Sequence, residues 1–233
     1  MNVLGIETAT SVCAVALTVG ETAAVEELID QERVHAEKLL GLVDQVLRSS
    51  EVRLEDLQGI AISIGPGSFT GLRIGLSVAK GLSLGAGLPL VAVPTLSSLA
   101  RRVIDAAPTS RPGAVLATIN ARRDEVYCQL FRTRSGGCDP VWGPKDLPVA
   151  ELAEELGEPD LVLTGDGSAK VVRFLSEMNP PPPVRVAEPG IARCSAATVA
   201  LMGARLLAEG KRDDPSSLEP VYVKEFSAVS RST

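Results

Sequence analysis

The sequence predicts an α/β fold of two duplicated lobes, and three observations carry that expectation. Short runs rich in Val and Ile alternate along the chain with segments of helical period. Each half opens on strands joined by turns and continues into strand–helix units. Of the 233 residues, 45% are apolar and 22% charged, a balance that supports an aliphatic core and argues against disorder.

Asn2–Glu7 is a short apolar strand, Thr8–Ser11 a turn, and Val12–Val19 a second strand. Gly20-Glu21 marks another turn before a third strand over Ala23–Ile29, so the chain opens as a β-meander. His35–Leu47 takes helical period: Leu39, Leu40, Val43, Val46 and Leu47 recur between Glu37, Lys38, Asp44 and Arg48. Gly59–Ile64 is a strand, followed by Gly65-Pro66-Gly67-Ser68-Phe69-Thr70 and a long helix to about Gly87. Leu88–Val93 is a strand ended by Pro94, and Thr95 is placed to cap a helix over Leu96–Ala106.

The loop Pro108–Gly113 separates the halves, giving lobes over residues 1–108 and 109–233. Strands Ala114–Asn120 and Val126–Arg132 flank the charged turn Ala121-Arg122-Arg123-Asp124. Then come a helix Val149–Leu156, a strand Leu161–Thr164, the turn Gly165-Asp166-Gly167 and a helix Ser168–Glu177. Pro180–Pro183 is extended. Ser195 opens a last helix to about Ala208, expected to pack back on the first lobe, and Glu219–Phe226 forms a short tail. The order βββαβαβα, echoed by a shorter ββ…αβαβα, is the ribonuclease-H-like plan of the actin and hexokinase group.

The formal charge of −6 makes the chain a poor electrostatic match for RNA or DNA on its own. The basic pairs Arg101–Arg102 and Arg122–Arg123 read as solvated surface. Met1–Glu7 lacks the basic start of a secretory leader, and Arg73 and Lys80 interrupt the most apolar stretch, so no membrane span is expected. Cys13, Cys128, Cys138 and Cys194 are scattered without a C-x-x-C pair, which fits a reducing cytoplasm.

The segment GPGSFTGLRIG at Gly65–Gly75 is the most distinctive stretch. A strand end, two glycines and a helix start capped by Ser68 or Thr70 leave backbone N–H groups for an anion. Gly65, Gly67, Ser68 and Thr70, with Glu7 and Thr10 from the first turn, form the candidate anion or nucleotide set. Neither standard nucleotide loop is present. GxxxxGK[ST] fails because Gly71 precedes Leu72-Arg73, and GxGxxG fails at Thr70. A tight strand–helix turn accounts for the same residues.

The helix behind the loop carries Gly71, Gly75, Gly81 and Gly85. Each interior glycine costs roughly 0.8–1 kcal/mol relative to alanine, so four need a compensating contact. At about 100° per residue they share an arc of about 120° with Ile74, Val78 and Leu82, opposite Arg73 and Lys80. A notched apolar arc permits close backbone approach, either to the chain's own sheet or to a helix of another subunit. The candidate partner face is His35, Leu39, Leu40 and Val43 on the first helix with Gly71, Arg73, Gly75, Val78 and Leu82 on the second. His35 is the single histidine, which leaves no histidine-ligated metal site and no Ser–His–Asp or Cys–His set. No catalytic residue is assigned.

GPGSFTGLRIG, the opening VLGIETATSVCAVAL, His35 before a helix, NARRDEVY at Asn120–Tyr127 and the terminal EPVYVKE together resemble the TsaB (YeaZ) family over nearly the whole chain. The resemblance implies the two-lobed actin-like ATPase (ASKHA) fold. It also implies paralogy with TsaD, the subunit that transfers threonylcarbamoyl to the adenosine beside the tRNA anticodon. The family lacks TsaD's metal-binding histidine pair. It serves as TsaD's non-catalytic partner through its N-lobe helices, with the TsaE ATPase joining, and forms homodimers alone through the same surface. Contact with tRNA is indirect, no cofactor is required, and weak ATP or ADP binding at the complex interface stays open. Asn120-Ala121-Arg122 departs from the family's Asp-Ala-Arg, and Glu7 stands where Asp is common. Two alternatives remain: an autonomous ATP-dependent phosphotransferase built on Glu7, Thr10 and Gly65–Thr70, and a glycoprotease-like peptidase, against which the missing metal pair speaks.

Overall fold

Alternation of side chains along the first strands sets the two faces of the first sheet. In the computed structural model, residues 1–20, 22–152, 156, 160–181 and 184–223 are described. Strands β1 (Val3–Glu7), β2 (Val12–Val19) and β3 (Thr22–Asp30) form the antiparallel meander. Helix α1 (His35–Ser49) and a 3-10 turn (Leu54–Asp56) lead to β4 (Gly59–Ser63), which pairs parallel with β1. Helix α2 (Phe69–Ala86) leads to β5 (Leu90–Val93), parallel with β4, and α3 (Thr95–Ala106) follows. The strand order is β3-β2-β1-β4-β5.

The second half contributes β6 (Ala114–Asn120), β7 (Glu125–Arg134), β8 (Gly137–Pro140), β9 (Lys145–Pro148), α4 (Val149–Leu152) and β10 (Leu161–Thr164). Then come α5 (Ser168–Ser176), β11 (Arg185–Val186), the short α6 (Pro189–Ala192) and α7 (Ala196–Ala208). The sheet runs β11-β10-β6-β7-β8, with β9 also on β7. Taken from β8, this repeats the first sheet: two antiparallel pairings, then two parallel ones. The fold is the duplicated ribonuclease-H-like α/β plan.

The sequence pattern predicts neither β8 nor β9. Gly137-Cys138-Asp139-Pro140 and Lys145-Asp146-Leu147-Pro148 have weak strand propensity, and both are held in place by pairing with β7. Of the helix expected over Val149–Leu156, residues 153–155 lie outside the described residues, as do 182–183 of the proline run and 224–233 of the tail.

Leu4 and Ile6 point to the face covered by α1 and α2, while Val3 and Ala61 point to the face covered by α7. Helix α3 leaves its own sheet. Its Leu96, Leu99, Val103 and Ile104 pack with Val115, Ile119 and Phe131 of the second sheet. The last helix makes the reverse journey, packing on β1, β2, β4 and β5. It sits very close: a Cβ on Gly203 would collide with Ala61 Cβ, and one on Gly5 would lie 2.7 Å from Ala200 N. Glu26 of β3 fixes its start, accepting from Ser195 Oγ at 2.8 Å and Ala197 N at 3.1 Å.

Candidate functional site

The glycine-rich segment grips the first hairpin. Ser68 N donates to Ala9 O at 2.7 Å, and Gly65 N donates to Thr95 Oγ1 at 3.0 Å. Ser68 Oγ caps α2 by accepting from Gly71 N at 3.2 Å. Gly65 has φ +113, a conformation that favours glycine, and a Cβ there would lie 2.7 Å from Val221 O. A Cβ on Gly67 would collide with Ala9 O, one on Gly71 with Thr8 O, and one on Gly75 with Thr8 Oγ1. The N–H groups of Gly65, Ser68 and Gly71 are thus occupied by this chain, and the turn after β1 takes the position expected for an anion. Phe69 and Thr70 are exposed at the helix start.

Glu7 completes this corner at the junction of the lobes. It is 0% exposed, and its Oε1 accepts from Ala9 N at 2.7 Å and Ser63 Oγ at 2.9 Å. Its Oε2 is buried without a hydrogen-bond partner. Burial is the main cause that raises its pKa from 4.5 to about 7, against the lowering effect of these bonds. Cys194 lies within electrostatic reach of Glu7 and Asp166 and is hydrogen-bonded to Thr10; burial, then those two carboxyls, push its thiol well up. A neutralising carboxyl beside an inert thiol offers little to a phosphate. The neighbours of Cys194 lie in distant segments, so no local sequence signal marks its surroundings.

Asn120 has a clear structural partner. Its backbone N donates to Asp166 Oδ1 at 2.9 Å and its Nδ2 to Asp166 O at 3.0 Å. The second of these bonds needs a donor that an aspartate at this position lacks.

The outer side of α1 and α2 is the remaining candidate, and it corrects part of the expected partner face. His35, Leu39 and Val43 are buried in this chain's own core, with His35 Nε2 3.2 Å from Val12 O. Gly71 and Gly75 are buried against Thr8. Arg73 is exposed, but its guanidinium lies 3.9 Å over the Phe69 ring and its Nε donates to Tyr222 OH at 3.0 Å. What faces outward is Leu40, 61% exposed, and Leu84, 70% exposed. A Cβ built on Gly41, Gly81 or Gly85 meets nothing within 4 Å, and Val78 and Leu82 are half-buried beside them. The notched arc is therefore split: its first half holds the hairpin turn and its second half is open.

Among the described residues no group of three or more His, Cys, Asp or Glu could hold a metal, and no helix is long and apolar enough to cross a membrane.

The chain is 36% identical over 167 residues to the tRNA threonylcarbamoyladenosine biosynthesis protein TsaB of Escherichia coli (strain K12), covering 71% of this chain and 69% of that protein. The chain belongs to the TsaB family. A solved structure, YeaZ from Pseudomonas aeruginosa, matches with a TM-score of 0.81 at 28% identity, over 95% of this chain and 99% of that one. Kinship reaches beyond TsaB itself. The family model described as TsaD, tRNA N6-adenosine threonylcarbamoyltransferase, matches residues 27–179. The tRNA N6-adenosine threonylcarbamoyltransferase of Paracoccus denitrificans (strain Pd 1222) is 46% identical over 117 residues, 49% of this chain but 29% of that protein.

Proposed function

We propose that this TsaB-family chain acts in tRNA threonylcarbamoyladenosine biosynthesis as a non-catalytic partner subunit, in the cytoplasm. It binds the TsaD transferase subunit, organises it together with the TsaE ATPase, and meets tRNA only through that complex. Alone, it pairs with a second copy through the same surface. The observation that carries this reading is the outer side of α1 and α2. Two large apolar side chains, Leu40 and Leu84, stand beside open notches at Gly41, Gly81 and Gly85. Exposed glycines let a partner helix approach the backbone closely, and exposed leucines reward its arrival. The N–H groups of Gly65, Ser68 and Gly71, each already bound within the chain, and the protonatable Glu7 support a partner role over autonomous phosphoryl transfer.

Gly81→Leu and Leu40→Glu are expected to abolish co-purification with TsaD while leaving the circular dichroism spectrum unchanged and without lowering the melting transition. Gly81 faces open space and Leu40 is 61% exposed, so this chain's own packing is retained in both variants. Normal capture of TsaD by both variants would overturn the interface.

A further inference from the structure

The side of α2 that bears Arg73 and Lys80 borders a groove. After α7 the chain runs back across the first lobe. Asp213 ties it to β5, donating its N to Leu90 O at 2.9 Å and accepting from Ala92 N at 2.8 Å. Val221 N donates to Ile64 O at 2.8 Å, and Tyr222 reaches Arg73. Between this strap and α2 lies a cavity of about 250 Å³, lined on the helix side by Arg73, Leu76, Ser77 and Lys80. Leu218, Glu219, Pro220 and Tyr222 close the other side.

The two cations in this pocket have no carboxylate partner among the described residues, unlike several others. Arg48, Arg53, Arg101, Arg134 and Arg185 each pair with a carboxylate. Lys80 has no hydrogen bond or ion pair among the described residues, although Asp214 lies within electrostatic reach; that carboxylate is already engaged by Ser216 and Ser217. Arg73 is held in place by the Phe69 ring beneath it and by the bond from Nε to Tyr222, while its two terminal nitrogens have no partner among the described residues. A guanidinium fixed in this way presents two parallel donors, the geometry that oxyanions accept best. Arg73 and Lys80 are seven residues apart, about 10.5 Å along the axis, with Ser77 between them. All three line the same cavity. Leu76, Leu218, Pro220 and Tyr222 add an apolar wall. Glu219, exposed and in no ion pair among the described residues, is the one lining group of the wrong sign.

The geometry points to a phosphate site here, one that takes a phosphate monoester with a small apolar or aromatic body. Arg73, Lys80 and Ser77 hold the phosphate, and the strap holds the body. Leu84 follows Lys80 by one helical turn, so the pocket borders the proposed partner face, and binding of the probes to the chain alone separates the two.

Titration of the full chain with phenyl phosphate and with inorganic phosphate, followed by amide NMR shifts, tests it. Saturable shifts at Arg73, Ser77 and Lys80 are expected with both probes, tighter for phenyl phosphate. Arg73→Gln and Lys80→Gln should each weaken binding about tenfold or more, and Glu219→Gln should tighten it. Lys80→Gln is the decisive variant, because Lys80 holds nothing in the fold. No saturable binding of either probe, or equal binding by native protein and Lys80→Gln, would overturn the site. Binding of inorganic phosphate as tight as that of phenyl phosphate would remove the apolar wall from the assignment.

Discussion

Gly75→Val is expected to destabilise the protein by about 3 kcal/mol, the upper part of the range for overpacked interiors, whereas Gly81→Ala stabilises it by roughly 0.8–1 kcal/mol. Both residues lie on one arc of one helix, yet their surroundings differ. A Cβ at Gly75 collides with Thr8 Oγ1 and lies 3.2 Å from Ile62 Cδ1. The turn after β1 has no room to retreat, because Ala9 O is bound to Ser68 N and Ala9 N to Glu7. At Gly81 the added methyl enters open space, so only the helix-propensity gain remains. Urea unfolding of the two variants beside the native chain measures both effects. A Gly75→Val midpoint as high as that of Gly81→Ala would refute the close contact with Thr8.

Glu7→Gln should remove a pH dependence of stability. The Glu7 carboxyl is fully buried and its pKa stands at about 7 in the folded chain against 4.5 in water. The folded state therefore holds this proton more tightly than the unfolded state. The stability linked to it is complete below pH 4.5 and is lost as pH rises through about 7. At pH 8 the loss amounts to about 3 kcal/mol. Glutamine stays neutral and its Oε1 can accept from Ala9 N and Ser63 Oγ as the native carboxyl does. Unfolding free energies between pH 5 and pH 8 should fall more steeply for the native chain than for the variant. Parallel curves would mean that Glu7 ionises freely in the fold.

The first lobe was legible because its strands and helices carry strong period and its turns carry Gly, Pro and Thr. The second was read less fully, since β8 and β9 owe their existence to β7 rather than to their own residues. The loop at Gly65 shows a sharper limit. Local sequence set out its N–H donors correctly, but the acceptors that fill them, Ala9 O and Thr95 Oγ1, arrive from other segments. The same holds for the glycine arc. Helical angles place four glycines together, and only the position of Thr8 decides that Gly71 and Gly75 are covered while Gly81 and Gly85 are not. Topology alone brings Glu7 and Asp166 within electrostatic reach of Cys194, and Thr10 within hydrogen-bond reach of it.

The exchange of helices between the sheets sets synthesis against folding. When β5 leaves the ribosome, every strand of the first sheet is present, yet the face bearing Val3, Ala61 and Val91 has no cover. Its lid is Ala196–Ala208, made after nearly the whole second lobe. A nascent chain therefore carries an open apolar face through most of its translation, the kind of surface that promotes aggregation until its cover arrives. Truncation before Ser195 would leave that face bare for good.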